Sequence, residues 1–168
     1  MTNEESLRIR GYLTAQGAKL SPDQLIGKVQ EAMAQLRAAA SSVPPARFNE
    51  SPAPGEWSAN EVMAHVVEAG RHFGDAIVRI LDGQAPATPR DVAARDTTPR
   101  PLDDWWAMLE RDRSALFERV WSAPPTARLG ATIAHPFFGA LNWRETLLFM
   151  RLHDLDHAGQ LTKVAGAL

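Results

Sequence analysis

The sequence predicts an all-α protein: a four-helix bundle, up-down with a long crossover, plus a short extra helix at the N-terminus. Three observations lead there. Four stretches of roughly twenty residues repeat apolar side chains at the three- and four-residue spacing of a helix face. Three of these open on a capping box, Ser21 with Gln24, Ser58 with Glu61 and Asn142 with Glu145. No stretch keeps the apolar–polar alternation of a strand, and no internal repeat is evident.

In chain order, residues 5–20 read as a weak outer helix, with Leu7, Ile9, Tyr12 and Leu13 apolar and Gly11 and Gly17 interrupting. Ser21 then caps, Pro22 suits the first helical position, and Leu25, Ile26, Val29, Met33 and Leu36 follow at helical spacing to about Ser41. Val43-Pro44-Pro45 ends that helix. Trp57 precedes the next cap, Ser58, and is placed to staple Val62. This helix runs to about Asp82, before Gly83, with Val62, Val66, Ala69, Phe73, Ala76, Ile77 and Ile80 as its stripe. His65 falls at the stripe's edge, and Glu61, Glu68 and His72 flank it on the more polar side.

Residues 83–100 hold Pro86, Pro89 and Pro99, a connection long enough to be a lid, a subunit contact or a solvated linker. Residues 101–122 return to helix, with Asp103 and Asp104 at its start. Trp105, Trp106, Leu109, Leu116, Phe117, Val120 and Trp121 carry its apolar positions. Residues 126–140 read as an irregular connection, in which His135, extended or turn-like before Pro136, is more simply a loop histidine than one that approaches the site. Asn142 caps the last helix, which continues to about Val164.

The 168 residues suit one domain spanning 1–168, large enough for a real core. The 45% apolar and 23% charged fractions are those of an ordinary globular protein. A net charge of −2 gives no pull toward nucleic acid or membrane. No apolar run is long enough to span a bilayer, and the N-terminus lacks a signal-peptide pattern. Cysteine is absent, which excludes disulfides, thiolate ligands and a cysteine nucleophile and fits a cytoplasmic protein. Any metal site must therefore draw on carboxylates and the five histidines.

The last helix carries the strongest chemical signal. His153 and His157 are four residues apart, so both imidazoles share one face, with Gln160 on the same stripe. Thr146, Phe149, Met150, Leu161 and Val164 share that register, whereas Arg144, Arg151 and Thr162 fall on the opposite face. The pair therefore points inward. Alone, this spacing more often marks hydrogen-bonded core histidines than a metal site. A zincin would follow its first histidine with glutamate, and Asp154 stands there instead.

Three motifs together resemble the DinB/YfiT-like family and cover nearly the whole chain in the right order. Trp57-Ser58 with Glu61 and His65 is similar to that family's "W-S-x-x-E-x-x-x-H". His135-Pro136 through Gly139, Leu141 and Glu145 resembles its "H-P-x-x-G-x-L-x-x-x-E". His153-Asp154 through His157 and Gln160 resembles its closing "H-D-x-H-H-x-x-Q", with Asp156 where the family often has another histidine. The resemblance implies a bundle, usually a homodimer, with a divalent metal ion held by three histidines, which carry over to His65, His153 and His157.

That resemblance also implies a metal-dependent hydrolase or a transferase using a low-molecular-weight thiol, acting on a small-molecule substrate. Three neutral imidazoles leave coordination positions open for water or substrate. Zinc or nickel suits such ligands best, with iron or manganese not excluded. Glu61, Glu68, Asp154 and Gln160 are candidates to orient the histidines or act as base, Asp154 as a helper because it is offset from the histidine stripe. The competing reading is a non-catalytic metal-binding stress-response bundle, which a fourth protein ligand such as Glu61 would favour.

Overall fold

The computed structural model describes residues 2–85 and 98–168. Five helices account for most of it: α1 (Asn3–Lys19), α2 (Pro22–Ser41), α3 (Ala59–Leu81), α4 (Leu102–Trp121) and α5 (Trp143–Ala167). The capping boxes at Ser21, Ser58 and Asn142 are all formed, with both reciprocal bonds made. A fourth box, Thr2 with Glu5, starts α1. Neither Gly11 nor Gly17 breaks α1, because packing against α5 outweighs the cost of a helical glycine.

Side-chain contacts give the direction of each helix. The Asn60 Oδ1 at the start of α3 accepts from the Arg100 N–H and Trp105 Nε1–H at the start of α4. Arg71 pairs with Asp112 midway, and Arg119 reaches Leu81 O and Asp82 at the far ends. Thus α3 and α4 run parallel. On α5, His153 lies beside His65 and Phe149 beside Phe73, so α5 runs antiparallel to α3. Arg144 donates to Gly17 O and Leu20 O just before α2, and Arg47 donates to Leu168 O just after it. Hence α2 and α5 are parallel, and the order is up-down-down-up.

The long crossover is therefore the α3–α4 connection, since two parallel neighbours need a link that returns to the starting end. The expectation of a lid, contact or linker at 83–100 falls largely on residues 86–97, outside the described residues. Helix α5 packs on α2 and α3, and α4 packs on α3 and α2, which leaves α4 and α5 on a diagonal of the bundle. Leu36, Val66, Ile77, Leu109, Leu147 and Leu161 are among the fully enclosed side chains of the core between them. No helix among the described residues is long and apolar enough to cross a membrane.

Two sequence expectations are corrected. Residues 126–140 are not wholly irregular: β1 (Ile133–His135) pairs antiparallel with β2 (Gly139–Leu141), Ile133 opposite Leu141. Strands this short display no alternation from which to read them. Gly139 adopts φ +71, the left-handed turn conformation that glycine takes without steric cost. Arg144, expected on the outward face, is buried. Its guanidinium donates to Gly17 O, Leu20 O and Pro125 O, satisfying carbonyls at the end of α1 and in the connection after α4.

Gly17 permits that junction: a Cβ there would lie 3.1 Å from Glu145 Cγ and 3.5 Å from Glu145 N. We expect Gly17→Val to destabilise the fold by about 1–3 kcal/mol through overpacking. Thermal unfolding checks it, and an unchanged midpoint would mean that α1 packs less tightly than described.

Candidate metal centre

The antiparallel register of α3 and α5 sets the first turns of α3 against the third and fourth turns of α5. His65, two turns beyond its cap, thereby meets His153 and His157. His65 Nε2 and His153 Nε2 are 3.1 Å apart. One potential ligand atom from each of His65, His153 and His157 lies within 4.8 Å of the others. Two imidazole nitrogens bound at about 2.0–2.1 Å to a tetrahedral ion would stand roughly 3.3 Å apart, so the observed pair needs little adjustment. Nitrogen donors without a carboxylate in the group suit a borderline transition metal better than calcium or magnesium.

Neighbouring groups fix which nitrogens face inward. His157 is buried, and its Nδ1 is 2.8 Å from Gln160 Oε1, so Nδ1–H donates and the Nε2 lone pair is left for a ligand role. Burial first, and repulsion from His153 second, hold the His157 pKa below the ordinary histidine value. The neutral ring this favours is the form that binds a metal. Trp57 closes one side: its ring is edge-on to His65 at 5.3 Å and stacked over His157 at 6.5 Å. Trp57 thus touches two of the three histidines, beyond the stapling its position implied.

Asp154, predicted as an offset helper, is fully buried, with a carboxylate oxygen 4.0 Å from His153 Nδ1. Its partner is Arg113 on the diagonal helix α4, whose Nη2 donates to both carboxylate oxygens at 2.9 and 3.1 Å. Arg113 is itself 2% exposed, and sequence reading missed it. Its position between Leu109 and Leu116 on the inner stripe of α4 was the available signal. Glu61 is drawn instead to the α3 cap, where Oε2 accepts from the Ser58 N–H and Oγ–H. Among the described residues it does not join the ligand group, and neither does Glu68.

His135 lies in strand β1 rather than in an irregular loop. It is 8% exposed in the hairpin and packs among Phe138, Phe149 and Phe73. Phe149 in turn touches His153. His135 Nδ1 accepts from the Phe137 and Phe138 N–H groups at 3.2 and 3.3 Å. Burial, then repulsion from His153, lowers its pKa to about 4. His72 is half-buried beside Phe73, and Asp156 is exposed.

A family model described as the DinB superfamily matches residues 28–161. Two solved structures share the fold. One is TT2238, a four-helix bundle protein: TM-score 0.65, 24% identity, 85% of this chain and 99% of that chain covered. The other is YfiT from Bacillus subtilis, described as a probable metal-dependent hydrolase with an unusual four-helix bundle topology. It aligns at TM-score 0.67 and 17% identity, over 86% of this chain and 87% of that one. No curated protein matches the sequence.

Two outcomes follow from these environments. Arg113→Met leaves Asp154 buried and unpaired, and should cost about 3–5 kcal/mol in urea unfolding, whereas adding Asp154→Leu should recover much of that loss. Additive losses would show that the two do not act as a pair. His135 has a folded pKa of about 4 against an ordinary 6.5, so its neutral form is favoured by the fold. Its contribution is complete above pH 6.5 and is lost as pH falls toward 4, by at most about 3 kcal/mol. Comparing the pH dependence of unfolding for the parent protein and His135→Phe isolates that loss.

Proposed function

The chain belongs to the DinB superfamily, and we propose from that premise that it is a divalent-metal-dependent enzyme, most simply a hydrolase, with His65, His153 and His157 as the ligands. The observation that carries this reading is the convergence of three histidine nitrogens from two helices within 4.8 Å, with no carboxylate among them. The fold shared with a protein described as a probable metal-dependent hydrolase supports it. The engagement of Glu61 at the Ser58 cap supports a three-ligand site over one closed by a fourth protein group.

A divalent ion held by three neutral imidazoles acidifies bound water and polarises a substrate oxygen, which is the chemistry of a hydrolase. The protein's own part is orientation. Gln160 accepts from His157 Nδ1–H and keeps Nε2 free. The Arg113–Asp154 pair sets a fixed negative charge beside His153 Nδ1, favouring the tautomer with its proton there and its Nε2 lone pair toward His65. Trp57 shields the His65 and His157 rings from water on one side. Asp154 is fully enclosed and held by Arg113, so its role here is positioning.

Elemental mass spectrometry of untagged protein should find close to one equivalent of a single transition metal per chain. His65→Ala, His153→Ala and His157→Ala should each lower metal affinity by at least about a hundredfold, and Gln160→Ala by about 10–100-fold. A protein that neither carries metal nor retains zinc or nickel after incubation would refute the reading.

A further inference from the structure

His135 is the one enclosed histidine that the proposed ligand set does not use. Its ring is fixed on three sides. Phe138 stacks on it at 4.6 Å and 15°, Phe149 meets it edge-on at 4.4 Å, and Phe73 lies at 6.0 Å. The fourth restraint is chemical. Nδ1 accepts two backbone N–H bonds from the hairpin turn, so the ring proton must sit on Nε2. Among the described residues nothing accepts from that Nε2–H, although the ring is 8% exposed. A neutral histidine with a locked tautomer and a free N–H is a fixed hydrogen-bond donor.

Its position gives that donor a use. Phe149, which touches His135, stands one helical turn before His153 and packs at 6.0 Å from it. His153 also bears electrostatically on His135. The Nδ1 edge is turned to the hairpin, and the Nε2 edge therefore faces away from it. Phe73, Phe138 and Phe149, all half-buried, provide apolar walls beside the donor. These walls suit the carbon end of a small organic molecule, and the donor suits its oxygen.

We propose that His135 Nε2–H is a substrate-binding group, donating a hydrogen bond to the carboxylate or carbonyl oxygen of a small ligand seated between the histidine cluster and the Phe73–Phe149 wall. The proposal rests on the three-histidine reading above and names the chemical class that site accepts. Because Nδ1 is engaged by the turn, His135 acts as a donor and not as a base. The preformed donor offers its hydrogen bond without first reorganising.

The test uses the full chain loaded with cobalt(II), with sodium acetate as probe. Cobalt uptake and its visible absorption in the parent protein report on the three histidines alone. Acetate titration then reports on ligand binding, by perturbation of those bands. His135→Phe should take up one equivalent of cobalt as the parent does, yet bind acetate about tenfold or more weakly. Because that variant also frees two turn N–H groups, the parent protein is read independently. In the zinc-loaded form with 15N-labelled histidine, acetate should move the His135 Nε2 resonance and leave that of Nδ1 nearly still. Equal acetate affinity in the variant with an unmoved Nε2 resonance would overturn the proposal while leaving the metal site intact. Failure of the parent protein to bind cobalt would overturn both.

Discussion

A carboxylate with no solvent exposure governs the middle of this bundle. Asp154 sits in the same helical turn as His153, on the face of α5 that meets the other helices. A buried charge without a partner is strongly destabilising, and among the described residues α1, α2 and α3, which pack on α5, supply no cation to it. The partner comes from α4, across the diagonal, where Arg113 replaces an apolar residue on the inner stripe. That pairing constrains the rotation of α4 relative to α5. It also constrains His153, whose ring must sit beside a fixed negative charge. The core is thus assembled around an ionic contact adjacent to the histidine cluster.

The parallel pairing of α3 with α4 is the second constraint. Asn60 ties their first turns together through Trp105 and the Arg100 backbone, and Arg119 ties their ends. With α4 held alongside α3 in this way, α5 fills the remaining corner antiparallel to α3. The register follows: His65 opposite His153 and His157, Phe73 opposite Phe149. The short hairpin before α5 packs His135 and Phe138 onto the same aromatic cluster.

Local signals in the sequence located the helices well, because their ends are written in short-range chemistry. Ser21, Ser58 and Asn142 cap as their neighbours three residues on require. The first helix, expected over residues 5–20, is present as Asn3–Lys19, its start set by a Thr2–Glu5 box that lies ahead of an undistinguished apolar pattern. The inward pair on α5 was legible from spacing, but His65 needed a family resemblance, because nothing local distinguishes it from any histidine at a stripe's edge. Arg113 and Arg144 were illegible for another reason. Each is a charged residue whose burial depends on acceptors 41 and more than 120 positions away. Trp57 was read through its nearest neighbours in sequence, although its ring serves residues as distant as His157.

The separation of the paired histidines has a consequence for how the protein comes into being. His65 and His153 are 88 positions apart, the first in α3 and the second in α5. The cluster has no existence until α5 docks against α3. A cation bridging the two helices would then close a chain loop spanning just over half of the 168 residues, a cross-link whose entropic effect falls on the unfolded state. Assembly of the cluster and docking of α5 are in that sense a single event, and without α5 only His65 of the three clustered histidines is present.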